Sequence, residues 1–139
     1  MSWDVVLIKM PEGMSSIGDL PNDHISAPLG RRAEVEEAIR RAVPGVDLTD
    51  PTWGDMNGPG WSMELNIGSK DPIDDIMLHI RGSSDWVFEP IFALARELRC
   101  QVIDCGSGDV LTEGEPGTWH EWKAFRDGLR GFGFGFTTN

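Results

Sequence analysis

The residues best suited to do chemistry are Glu64, His79 and Arg81, with Ser62 and Asn66 beside them. A carboxylate, an imidazole and a guanidinium next to a hydroxyl and an amide can hold a polar ligand or pair with a partner's charges. With the imidazole as base, they can in principle move a proton. They share a surface only if two strands bring them together, and the spacing provides two strands. Trp61, Met63, Leu65 and Ile67 alternate with Ser62, Glu64 and Asn66, while Ile76, Leu78 and Ile80 alternate with Met77, His79 and Arg81. Strict alternation marks a strand with one buried face. The polar stretch Gly68-Ser69-Lys70-Asp71-Pro72 between the runs reads as a turn, so the pair is expected to be an antiparallel hairpin. A one-residue slip would expose each apolar row. Leu65 must therefore face an apolar partner such as Leu78, which sets Glu64 opposite or diagonal to His79 and Arg81. The plain interpretation is a solvated face with an ion pair worth about 0–1 kcal/mol. The sharper one is a binding face made by Ser62, Glu64, Asn66, His79 and Arg81. No nucleophile or metal partner accompanies them in sequence, and no catalytic residue is assigned.

Other candidates carry less. His24, beside Asp23, lies in a loop-like stretch and reads as a turn residue. Cys105 could be a nucleophile, but nothing near it in sequence lowers its pKa and Asp104 would raise it. Cys100 and Cys105 are expected to act as small apolar residues. With His120 they offer only three ligands, without zinc-site spacing, and no metal is expected. Gly106-Ser107-Gly108 lacks the lysine and the strand-to-helix setting of a phosphate loop, and reads as a hairpin turn. Asp47, Asp50 and Asp55 lack the spacing and terminal glutamate of a calcium loop. No cofactor is expected.

The elements that must position these residues follow in order. Trp3 to Met10, nearly all apolar, is expected to be a strand covered on both sides or central in a sheet. Residues 11 to 30 form a long loop. Gly30 to Val43 carries an apolar stripe (Val35, Ala38, Ile39, Ala42, Val43) at helical spacing and stops at Pro44-Gly45. Thr52 to Met56 is a possible edge strand. A second helix is expected over about Trp86 to Arg99, with Pro90 in its first turn. Gln101 to Cys105 is a short strand and Val110-Leu111 a brief return. Thr118 and Glu121 have the form of a capping box for a short helix to about Leu129. The domain is expected to span residues 1–130, with 131–139 a flexible Gly/Phe tail.

At 139 residues the chain suits a single domain. Its formal charge of −11, from 23 acidic and 12 basic residues, repels phosphate backbones and anionic lipid. Nucleic acid and membrane are therefore not expected as partners, whereas a basic protein is. A monomer or homodimer is expected. The first residues show no signal-peptide pattern and no apolar run reaches the ~18–20 residues of a membrane span, which points to the cytoplasm.

The order strand, helix, hairpin, helix, strand implies an α+β fold: a mostly antiparallel sheet with two helices on one face, ferredoxin-like βα(β)ββαβ, plus a short C-terminal helix. The polar row would lie on the opposite face. The apolar character of Trp3 to Met10 suggests that the C-terminal segment, with Trp119, Trp122 and Phe125, covers part of that face. Pro28-Leu29-Gly30 before Arg32-Ala33-Glu34-Val35, Asp50-Pro51-x-Trp53, Ser62-Met63-Glu64, Leu78-His79-Ile80-Arg81-Gly82 and Asp104-Cys105-Gly106-Ser107-Gly108 together resemble a family of small bacterial α+β proteins. The resemblance covers roughly residues 2 to 112 and implies no activity. Two functional readings follow. One is a non-catalytic acidic protein-binding domain, such as a bacterial immunity-type inhibitor of a basic toxin or effector. The alternative is a small-ligand binder or enzyme using Glu64, His79 and Arg81, which would need a concave pocket.

Overall fold

The structure, a computed structural model, describes residues 1–127. The expected tail at 131–139 lies outside the described residues, as does Leu129, the expected end of the C-terminal helix. Six strands form one antiparallel sheet: β1 (Trp3–Ile8), β2 (Trp53–Gly58), β3 (Trp61–Asn66), β4 (Asp75–Gly82), β5 (Gln101–Asp104) and β6 (Val110–Leu111). Their order in space is β2-β3-β4-β1-β5-β6. Helices α1 (Arg32–Ala42) and α2 (Phe88–Leu98) pack on one face and against each other. A third helix, α3, occupies 119–127.

The hairpin register is the one that the apolar alternation demands, with Leu65 opposite Leu78 and Met63 opposite Ile80. Trp3, Val5 and Leu7 of β1 join Met63, Leu65, Ile76, Leu78 and Ile80 in the core, all almost fully buried. Above them lie Val35, Ala38 and Ile39 of α1 and Ile91, Leu94 and Leu98 of α2. Burying one such side chain stabilises by about 1.5–3 kcal/mol, so these two rows dominate the fold's stability.

The helix ends are set by nearby residues and by remote ones. Ser84 accepts from the backbone N–H of Trp86 and opens a 3₁₀ turn (Asp85–Val87) that leads into α2. Pro90 then falls in the first turn of α2, where its missing donor costs nothing. Arg99, in the left-handed region at φ 53°, ends α2. Helix α1 has no cap from its own N-cap side chain. Asp71, 39 residues away in the hairpin loop, accepts from the Arg32 backbone N–H at 3.0 Å instead. The Arg32 guanidinium in turn donates to the carbonyls of Pro51 and Lys70, at 3.0 and 2.9 Å, and pins that loop to the helix.

Both sheet edges are partly paired. Residues 15–17 run along β6, with Val110 N–H donating to Ser15 and Ile17 N–H to Gly108, each at 2.8 Å. On the other side Asp47 and Asp55 exchange backbone hydrogen bonds of 2.8 and 3.0 Å, which covers the middle of β2. Such cover blunts strand-to-strand association with other chains.

One expectation fails. Among the described residues the C-terminal segment does not cover the open face of the sheet; Trp119 packs on the helix side. Asp104 pairs with Val5 in register and therefore points toward the helices. It is fully buried there and accepts from the backbone N–H of Gly106 (2.7 Å) and of Thr118 (2.6 Å), and from the Thr118 hydroxyl (2.8 Å). Thr118 thus serves a buried carboxylate in addition to standing before α3. Gly117 adopts φ +56°, and a Cβ on it would fall 2.4 Å from the Asp104 carboxylate, so only glycine fits. Trp119 then drops into a slot against Trp3 and Phe88, with ring centroids 5.0 and 6.1 Å away, and donates its Nε1–H to Asp85 at 2.6 Å. A buried indole needs an apolar wall and an acceptor together, and the helix layer offers both. β1 is central in the sheet, between β4 and β5, which is one of the two expected placements; it is not covered on both sides, and alternates between buried (Trp3, Val5, Leu7) and half-buried (Asp4, Val6, Ile8) residues.

Candidate functional site

All five residues singled out in the hairpin lie on the open face. Ser62 stands opposite Arg81, Glu64 opposite His79, and Asn66 opposite Met77. The neighbouring strands extend these rows. Asp55 of β2 faces Glu64 on one side, and Asp4 of β1 faces His79 on the other. One line across the sheet thus reads Asp55, Glu64, His79, Asp4, with Trp53 two residues before Asp55 on the same face.

Glu64 stands opposite His79 as expected, but the two side chains do not bond to each other. His79 Nδ1 is 2.9 Å from Asp4 Oδ1, and the Ser2 hydroxyl donates to that same oxygen at 2.5 Å. Glu64 turns the other way, forming a salt bridge with Arg81 and accepting from the Trp53 indole N–H at 3.1 Å. The Trp53 ring reaches over β3 to stack on His79, 5.7 Å between centroids and 18° between planes. Ser62 and Asn66 share the face but bond to none of these side chains among the described residues. The sequence does not place Asp4, Trp53 or Asp55 on this face; Asp55 appears in it only as one of three neighbouring acids without calcium-loop spacing. Asp4 is hidden within an apolar run, and Trp53 becomes a neighbour of His79 only through the β2–β3–β4 pairing.

The Arg81 guanidinium, bonded to the Glu64 carboxylate, holds that carboxyl below the usual range. Partial burial opposes the shift and the Trp53 hydrogen bond adds to it. A carboxylate depressed in the folded state contributes stability that is present above its unfolded pKa and lost as pH falls through its folded value. The loss should therefore begin near pH 4.5, the ordinary value, and continue below it. Glu64→Gln is expected to cost about 0–1 kcal/mol at pH 7, because the pair is partly solvated. Paired denaturant titrations at pH 7 and pH 3 check this: the variant's deficit should shrink at pH 3, and a deficit that grows on acidification would rule out the assignment.

Neither cysteine has the character of a catalytic nucleophile. Cys105 sits beside Asp4, its Sγ 3.7 Å from Met77 Sδ, and burial together with Asp4 and Asp104 pushes its thiol pKa up. Burial pushes Cys100 up to about 12. High thiol pKa values mean little thiolate at neutral pH. In the carboxylate–imidazole arrangement, Asp4 lies between Cys105 and His79 rather than beyond the imidazole, so His79 is not set to deprotonate the thiol. Among the described residues no three His, Cys, Asp or Glu side chains are grouped to hold a metal ion. His24 bonds Ser26 at 3.2 Å in the long loop, and His120 is exposed on α3.

A concavity of about 870 Å³ lies elsewhere, between the end of α1, the start of α2 and the β2–β3 turn, lined by Met56, Trp61, Trp86, Phe88 and Phe92 among others. Neither this concavity nor three smaller ones around α1, α2 and the 113–116 segment is lined by Glu64, His79 or Arg81. No helix among the described residues is long and apolar enough to cross a membrane. No protein-family model matches the chain, and no curated protein matches it significantly.

Proposed function

We propose that this chain is a non-catalytic, acidic protein-binding domain that docks a basic partner protein on the open face of its sheet. A bacterial immunity-type inhibitor, masking the basic surface of a toxin or effector, is the form of that activity that best suits its size and charge. The observation that carries the reading is the position of the polar cluster. Asp4, Asp55, Glu64, His79 and Arg81 line an open sheet face, while a concavity of about 870 Å³ lies on the helix side. A binding face for a protein is broad and shallow, whereas a substrate site is concave. The net charge of −11 would steer a basic partner toward it. Because the edges of β2 and β6 are partly paired, a partner would meet the face rather than add a strand. The cytoplasm and a monomeric or homodimeric state accompany this reading.

The same reading extends to the fold. The central order β3-β4-β1-β5, with α1 and α2 as the two crossovers, supports a ferredoxin-like plan to which β2 and β6 have been added at the edges.

The test is affinity capture from a lysate of the source organism at low and moderate salt, using tagged wild type, Asp55→Lys on the open face and Trp86→Ala in the helix-side groove. A stoichiometric basic protein, weakened by salt and by Asp55→Lys but retained by Trp86→Ala, is the expected result. Capture lost with Trp86→Ala and kept with Asp55→Lys would place binding in the groove and overturn the proposal. Capture of nothing at either salt would move the case to a small ligand or substrate held by Glu64, His79 and Arg81.

A further inference from the structure

We infer that the open face recognises arginine in particular, and that Trp53 with Asp55 forms the receiving site. The inference rests on the basic-partner reading and narrows its chemistry. Trp53 is 38% exposed although it is a large apolar residue at the sheet's margin. It is nonetheless held at two points. One ring face lies on His79, and its Nε1–H is bonded to Glu64. The indole is thus a fixed platform rather than a loose side chain.

Asp55 lies two residues along the same strand, on the same face and exposed. It is opposite Glu64, and like charges in directly opposed positions destabilise a sheet. Glu64 has Arg81 and Trp53 to offset its charge, whereas Asp55 makes no side-chain hydrogen bond or salt bridge among the described residues. Its other neighbour across the strand is Asp47, again acidic. The platform therefore has a carboxylate at its side and a local excess of negative charge.

A guanidinium fits both parts at once. Its plane can stack on the indole while its in-plane N–H groups reach the Asp55 carboxylate. An ammonium is a compact, strongly hydrated charge that gains the Coulomb attraction but not the stacked, forked geometry. A partner should consequently present an arginine here, and replacing that arginine by lysine should weaken binding.

The experiment uses the full chain with two probes, acetylated hexa-arginine amide and acetylated hexa-lysine amide, at moderate salt. Indole N–H signals are followed by NMR, with the Trp53 signal assigned through Trp53→Phe. The expected result is a Trp53 signal that shifts with hexa-arginine and an affinity about two- to fivefold above that for hexa-lysine, the range of an exposed cation–π contact. Trp53→Ala should abolish the preference between peptides. Asp55→Asn, which keeps the indole, should weaken hexa-arginine more than hexa-lysine. Equal affinities, with both peptides weakened alike by Asp55→Asn and the Trp53 signal unmoved, would overturn the arginine site while leaving a basic partner standing. Failure of both peptides to perturb any residue of the open face would overturn the two together.

Discussion

Replacing Trp119 by alanine is expected to destabilise the domain by about 3–5 kcal/mol, the range for removing a large buried aromatic. The residue is fully buried, in contact with Trp3, Phe88 and Trp122, and its indole N–H donates to Asp85. Alanine would leave a cavity between α2 and the start of β1 and would remove that hydrogen bond. The Asp85 carboxylate would keep Lys123, 2.9 Å away, so the added polar penalty is modest. For a chain of this size the corresponding fall in Tm is of order 10 °C. Urea unfolding followed by far-UV circular dichroism measures the loss. Trp119→Phe should keep most of the packing and lose mainly the hydrogen bond, costing about 1–3 kcal/mol. A loss below about 1 kcal/mol for Trp119→Ala would show that the C-terminal segment is not part of the folding core in solution.

Asp104→Ala is expected to cost about 3 kcal/mol or more, because it strips several donors of one acceptor at once. The carboxylate is fully buried and receives the Gly106 and Thr118 backbone N–H groups and the Thr118 hydroxyl. The same hydroxyl accepts from the Trp3 indole N–H at 3.0 Å, so the loss propagates to β1. Asp104→Asn preserves shape but offers one acceptor oxygen where two are used, and should fall between wild type and alanine. The comparison is read from unfolding midpoints at constant m value. Wild-type stability in Asp104→Ala would mean that water or rearranged backbone satisfies these donors and that the clamp contributes little. Since Trp119 and Asp104 hold the same segment, their double variant should lose less than the sum of the single losses.

Much of the frame was legible because it is written in local pattern. The alternation of Trp61 to Ile67 against Ile76 to Ile80 fixes which residues face the core, and a sheet register with Leu65 opposite Leu78 follows from burial alone. The stripe at Val35, Ala38 and Ile39 and the one at Ile91, Leu94 and Leu98 marked the two helices, which begin and end within a few residues of the expected bounds. Pro90 in the first turn of α2 and Gly108 at the β5–β6 turn are likewise consequences of backbone chemistry that sequence carries directly.

The long-range contacts were not legible. Nothing near Arg31 or Arg32 announces that Asp71 will cap α1, since the acceptor comes from a residue remote in the chain. Thr118 looked like a cap for the helix after it, and its Oγ serves the buried Asp104 instead. The C-terminal segment was assigned to the wrong side of the sheet. Its aromatic residues indicated that it would pack against something, but not which surface combined an aromatic slot with an acceptor for an indole N–H.

The sequence by itself determined that Ser62, Glu64, Asn66, His79 and Arg81 share one surface, because alternation and burial permit no other parity. Only the tertiary structure decided which of them interact. Cross-strand pairing of β1 and β2 with the hairpin sets Asp4 against His79 and Trp53 over it, and so turns Glu64 toward Arg81. Parity is a local property of an extended chain, whereas the choice of partner depends on which strands become neighbours. That is settled by burial of the whole sheet, through residues far apart in the chain.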